Sequence, residues 1–137
     1  MKLVAYLNFD GTCEAAFRFY EQALGGTITR IDTFGGSPMA TQMPPEAHAR
    51  IIHVRLQVGE QCLMGSDTPP GALAPRSGFA VAIQSDDLAQ AQRCFQALAD
   101  GGRIDMPFQA TFWSPGFGML VDRFGVPWMV NCETAPA

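Results

Sequence analysis

The sequence predicts an α+β fold. Two βαβββ modules should each carry one helix on the outside of a mixed sheet, with the helix-free faces lining a common cleft or meeting a partner chain. Two observations lead there. First, the chain resembles itself at an offset of 76 positions, which lays Ala15 on Ala91, Phe19 on Phe95, Ala23 on Ala99, Gly25-Gly26 on Gly101-Gly102 and Ile28 on Ile104. Second, each half reads as strand, helix and then three strands. A doubled small module usually keeps its working surface where the halves can share it.

Residues 2–9 read as a buried strand, broken by Gly11. Thr12 is a suitable N-cap, with Glu14 in the first turn. Ala15, Ala16, Phe19, Tyr20, Ala23 and Leu24 then recur at helical spacing. Gly25-Gly26 ends that helix by supplying positive φ. Strands follow at about 27–34, 50–57 and 61–66. Between the first two lies a Gly/Pro/Met-rich loop, 35–49, long enough to suggest a lid, with His48 at its end.

The second half repeats the order. A strand runs from Gly78 to Gln84, with Phe79, Val81 and Ile83 expected beneath a helix and the small or polar set opposite. Ser85 or Asp86 caps a helix with the stripe Leu88, Ala91, Phe95 and Leu98. Strands at about 103–109, 117–122 and 127–133 complete the module. In the last, Val126, Trp128 and Val130 should face the helix and Met129, Asn131 and Glu133 the other way. The whole chain, 1–137, reads as one domain, with modules at 1–67 and 78–137.

Composition narrows function. Of 137 residues, 47% are hydrophobic and 16% charged, and the net charge of −4 with scattered arginines argues against nucleic acid as a partner. No apolar run approaches the roughly 20 residues that span a bilayer. The segment MKLVAYLNFD turns polar too soon for a signal peptide, and Cys13, Cys62, Cys94 and Cys132 show no zinc spacing. A cytoplasmic protein with reduced thiols is the expectation. Low charge with many Gly, Pro and Met residues points to a homodimer. No Ser-His-Asp order, P-loop or HExxH motif occurs.

Several pieces together resemble a known group: Tyr6 to Gly11, the helix Glu14 to Tyr20, His53, Leu63 to Asp67, Thr111-Phe112-Trp113 with Phe117-Gly118, and Asp122 to Trp128 with Asn131. They resemble the vicinal-oxygen-chelate superfamily, which holds glyoxalase I, extradiol dioxygenases and bleomycin-resistance proteins. The closer likeness is to its PhnB-like branch. That branch often carries a 3-demethylubiquinone methyltransferase label. The chain has no glycine-rich loop opening a helix, which such methyl transfer usually needs.

The resemblance implies that the two βαβββ modules form a curved, cup-like mixed sheet with one helix per module outside, that the cup is completed in a dimer and, in metal-using members, that one ligand stands on each of four strands. Laid on this chain, those positions are Ala5, Met64, Ala80 and Met129. Alanine cannot coordinate, and thioether suits copper(I) better than hard or borderline ions. The expectation is therefore no metal and no cofactor. The cup would bind a small apolar or aromatic molecule, with His53, Met64, Phe112, Trp113, Met129 and Asn131 as the ligand-binding set.

His53 is the best catalytic candidate, as a general base or hydrogen-bonding group. It reads equally as a sheet histidine bonded to a neighbour. Trp113 suits stacking on a flat ligand or packing in an interface. Gln84 and Glu133 share the parity of the vacant ligand positions. Met39, Met43, Met64 and Met129 suit an adaptable pocket. Two other readings stay open. One is a metal-dependent lyase, isomerase or dioxygenase with displaced ligands His53, Asp67, Glu133 and His48. The other is a scaffold subunit with no small-molecule site.

Overall fold

The computed structural model of the chain describes residues 1–133. It divides into two compact units, Met1–Pro75 and Arg76 onward. Each is an α+β module of one four-stranded mixed sheet and one helix.

In the first module the order is β1 (Tyr6–Phe9), α1 (Cys13–Leu24), β2 (Thr27–Thr33), β3 (Ile51–Val58) and β4 (Gln61–Asp67). The sheet runs β1-β4-β3-β2, with β1 parallel to β4 and the other pairs antiparallel. The second module has β5 (Val81–Ser85), α2 (Leu88–Ala99), β6 (Arg103–Gln109), β7 (Phe117–Val121) and β8 (Pro127–Cys132). Its sheet runs β5-β8-β7-β6 with the same directions. The expected doubled βαβββ pattern is what the chain adopts.

Alternation decides which sheet face meets each helix. Leu7, Phe9, Val54, Leu56 and Leu63 are buried beside Cys13, Ala16, Phe17 and Tyr20 of α1. In the second module Val126, Trp128, Val130 and Leu120 are buried with Ala91, Phe95 and Leu98 of α2. Two glycines let the helices close on their sheets. A Cβ at Gly65 would lie 2.6 Å from Phe17 Cε2, and one at Gly118 2.5 Å from Phe95 Cε2.

The repeat is not uniform at 76. Gly25 and Gly101 end the helices in the left-handed region, with φ of 69° and 75°, and they do sit 76 apart. The helices themselves start at Cys13 and Leu88, 75 apart. Burial follows that shorter offset: Ala16 and Tyr20 match Ala91 and Phe95. Ala15 is exposed and Phe19 only half-buried. The second module shortens the loop before its helix by one residue and lengthens the one after it.

Other expectations need correction. Met1 to Ala5 lie outside β1, and Leu3 is exposed. Thr12 makes no side-chain cap; Asp67 supplies it instead, with Oδ1 accepting from Gly11 N at 2.8 Å and Cys13 N at 3.1 Å. Asp87, rather than Ser85 or Asp86, caps α2 by accepting from Gln90 N. Phe79 and Leu88 are 47% and 44% exposed, because Phe79 precedes β5 and Leu88 opens α2. The loop 35–49 carries two short 3-10 turns, Pro38–Gln42 and Pro45–Ala47.

Candidate functional site

The faces turned away from the helices carry the chemistry, and ladder register arranges their side chains in rows. In the second module one row is Ala82, Met129 and Met119; the next is Gln84, Asn131 and Phe117. Asn131 Nδ2 donates to Gln84 Oε1 at 2.8 Å. Trp113 extends the aromatic end, its ring 5.3 Å from Phe117 and 4.7 Å from Phe112, both edge-on. Phe112 is 97% exposed and Trp113 46%.

A buried serine that sequence reading missed holds this aromatic loop in place. Ser114 Oγ lies 2.7 Å from the carbonyl oxygens of both Gly116 and Cys132 and accepts from Gly116 N. Thr111 N closes the turn on Ser114 O at 2.8 Å. The surface so built is a thioether floor over a methyl group, with an amide pair on one side and rings at the edge. Such a surface suits a flat, weakly polar molecule.

The first module presents the same rows with different chemistry. Tyr6, Met64 and Arg55 form one. Asn8 and Ser66 form the next, with Ser66 Oγ donating to Asn8 Oδ1 at 3.3 Å. Met64 and Met129 are thus equivalent, Arg55 stands where its twin has Met119, and Tyr6 where it has Ala82. His53, two residues from Arg55 on β3, lies with Nδ1 3.3 Å from the Tyr6 hydroxyl, the two rings stacked 6.0 Å apart. Sequence reading found His53 and missed Tyr6 and Arg55. The signal was available, since Arg55 shares the parity of His53.

Of the four metal-equivalent positions, two lie just outside the strands. Ala5 precedes β1 and Ala80 precedes β5. The residues that pair with Met64 and Met129 are Tyr6 and Ala82. One phenol, one methyl group and two thioethers do not fit the hard or borderline cations that the fold family uses.

The displaced candidates do not converge. Asp67 is buried with both oxygens on backbone N–H groups, Oδ2 accepting from Ile51 N at 2.8 Å. His48 turns Nε2 to the carbonyl oxygens of Ala40 and Met43, at 2.9 and 3.0 Å. Two acceptors require that this nitrogen carry the proton, so His48 clasps its own loop. Glu133 is exposed at the end of β8. Among the described residues, no three His, Cys, Asp or Glu side chains come together as a metal cluster.

Asp122 and Asp10 serve the structure. Asp122 Oδ1 accepts from Phe124 N and Val126 N, and its Oδ2 from Trp128 Nε1. Asp10 pairs with Arg50, whose guanidinium holds that carboxyl below its usual range. Burial, with the negative charges of Asp67 and Glu14, pushes the Cys13 thiol far up.

The sequence profile of the Glyoxalase/Bleomycin resistance protein/Dioxygenase superfamily matches residues 2–130. The chain belongs to that superfamily. It is 35% identical to the protein YjdN of Escherichia coli over 139 residues, covering 96% of this chain and 95% of that one. The crystal structure of protein PA1353 from Pseudomonas aeruginosa matches with a TM-score of 0.89 and 44% identity, covering 98% and 99% of the two chains. A Bacillus cereus structure titled a putative 3-demethylubiquinone-9 3-methyltransferase, PhnB protein, matches at TM-score 0.79 and 22% identity over 96% and 99%, which shows a shared fold. The resemblance to this superfamily and the α+β class are both borne out. No helix among the described residues is long and apolar enough to cross a membrane.

Proposed function

We propose that this superfamily member binds a small, largely apolar or aromatic molecule on its helix-free sheet faces, without the metal that the metal-using members of the superfamily hold. The observation that carries this reading is the row Ala82, Met129, Met119 beside Phe117 and Trp113. It offers adaptable apolar contact where a chelating fold would offer charge. Met64, Phe112, Asn131 and His53 belong to the same faces or their edge. The donor set at the metal-equivalent positions supports metal independence. The metal-dependent alternative would strip Asp67 from three backbone N–H groups.

We assign the protein to the cytoplasm, as a homodimer. The four free cysteines support the first. Exposed Leu3, Phe79, Ile104 and Phe112 support the second.

The test is a thermal-shift screen followed by equilibrium dialysis against small aromatics, using protein stripped with a chelator. Binding by the stripped protein is the expected result. Binding that returns only with Mn, Fe, Ni or Zn would overturn the proposal.

A further inference from the structure

We infer that Arg55, with His53 and Tyr6 beside it, forms an anion site on the helix-free face of the first module, fitted to the carboxylate of a small molecule. This rests on the proposal that the helix-free faces take a small ligand, and it adds the charge that ligand carries.

Five of the chain's eight arginines are held by its own carboxylates, Arg76 donates to the Phe124 carbonyl oxygen, and Arg93 is exposed on α2. Arg18, Arg30, Arg50, Arg103 and Arg123 each lie within 4.0 Å of a carboxylate of the chain. Arg55 lies at the centre of its sheet, on β3, half-buried between its ladder partners Arg30 and Met64. Arg30 is itself committed to Asp32 at 2.7 Å. The side-chain acceptor within reach of Arg55 is Gln57 Oε1, at 3.5 Å, a long and neutral contact. A guanidinium keeps its charge and offers five donors in a planar fork. Part-buried, with no carboxylate of the described residues within 4.0 Å and with Asp32, the ladder partner of His53, held by Arg30, that fork matches a planar bidentate acceptor.

Its neighbours add donors. With the Tyr6 hydroxyl donating to His53 Nδ1, the ring proton sits on Nε2 and makes that nitrogen a second donor. Tyr6 is 46% exposed and its ring stacks on His53, so the pair is accessible. The apolar side chain in the row is Met64, between Arg55 and Tyr6. The equivalent row of the second module, Ala82, Met129 and Met119, carries no charge at all. One skeleton therefore presents a cationic row in one module and an apolar row in the other.

The test follows the Arg55 side-chain Nε–Hε resonance while the full chain is titrated with acetate, 2-naphthoate and 2-naphthamide. Both carboxylates should shift the signal, and the isosteric amide should not. In Arg55→Gln, naphthoate affinity should drop about tenfold or more. Arg55→Lys keeps the charge without the fork and should lose part of that affinity; it also serves if the glutamine variant does not fold. An amide that shifts Arg55 as the carboxylates do, or carboxylate affinity unchanged in both variants, overturns the anion site. Naphthoate binding no tighter than acetate would instead sink the apolar reading and leave the anion site standing.

Discussion

Asp122 Oδ2 accepts the indole N–H of Trp128 at 2.9 Å, with both residues buried. The other oxygen accepts two backbone N–H groups of the turn between β7 and β8. One carboxylate thus fixes that turn and anchors the largest side chain of the second core. Asp122→Ala leaves three donors without it and should cost about 3–5 kcal/mol, since each buried orphan donor costs roughly 1–3 kcal/mol. Trp128→Phe removes one of those bonds and part of the packing and should cost less. Urea unfolding of both variants and the double mutant checks this. Additive losses would show that the two residues do not act as a unit.

Asp67 plays the matching part in the first module, tying Gly11, Cys13 and Ile51 together and capping α1. Asp67→Ala should destabilise the protein by about 3 kcal/mol, and Asp67→Asn by less because one amide oxygen remains to accept. Amide exchange at Gly11, Cys13 and Ile51 should speed up in both. Any divalent metal content would stay the same, because the carboxylate serves the backbone. A variant that lost bound metal while keeping its stability would reverse that assignment.

These two aspartates show where sequence legibility ended. The element order was readable because apolar alternation and glycine punctuation are local signals. The strand β6 falls at 103–109 as the pattern predicts. Burial of Val126, Trp128 and Val130 follows from the two-residue period of a strand. The cap of α1 was not readable, because the capping group comes from a residue 54 positions away from Cys13. The helix offset was misplaced for a related reason. Matching Phe19 to Phe95 satisfies identity, whereas the sheet selects Phe17 and Tyr20 by where the loop delivers the helix. In the site, Met64, Met129, Asn131 and His53 follow from parity. Arg55 looked like one more scattered arginine until register set it beside Met64.

Cys13 links stability to alkaline pH. Burial first, then Asp67 and Glu14, raise its thiol above the ordinary value of 9.0. Sign follows from proton counting. Above the unfolded thiol's range the unfolded chain has released its proton while the folded one keeps it. The stabilisation is thus complete below about pH 8.5 and fades as pH rises. Urea midpoints at pH 7, 8, 9 and 10 should fall faster for the wild type than for Cys13→Ala. Parallel slopes would remove the thiol as the cause. The same burial should make Cys13 slower than the half-buried Cys62 in alkylation by iodoacetamide.

Each helix rests on one glycine of its sheet. A methyl group at Gly65 would meet Phe17 Cε2 at 2.6 Å and the Leu7 carbonyl oxygen at 2.7 Å. Backbone cannot yield as a side chain does, so Gly65→Ala should cost about 1–3 kcal/mol. Phe17→Leu in the same chain should recover only part of the loss, because the Leu7 contact remains. At Gly118 the nearest atoms are Phe95 Cε2 at 2.5 Å and Phe108 Cα at 3.0 Å. Gly118→Ala should therefore be rescued more fully by Phe95→Leu. Thermal melts of the four variants rank these effects, and equal rescue at both positions would contradict the backbone argument.

The proposed ligand face of the second module gives the last expectation. Ala82 supplies the methyl-sized side chain of its row, on the edge strand β5 beside β8, and it is exposed. Ala82→Trp should fill that space and weaken aromatic binding about tenfold or more, while leaving the melting temperature near that of wild type. Trp113→Ala removes a stacking partner worth about 0.5–1.5 kcal/mol and should weaken binding by about twofold to tenfold. Ser114→Ala should weaken it too, through loss of the bonds that hold the loop, and should also lower stability. Isothermal calorimetry with metal-free protein separates these effects. If neither Ala82→Trp nor Trp113→Ala changed affinity, the ligand would have to lie elsewhere on the molecule.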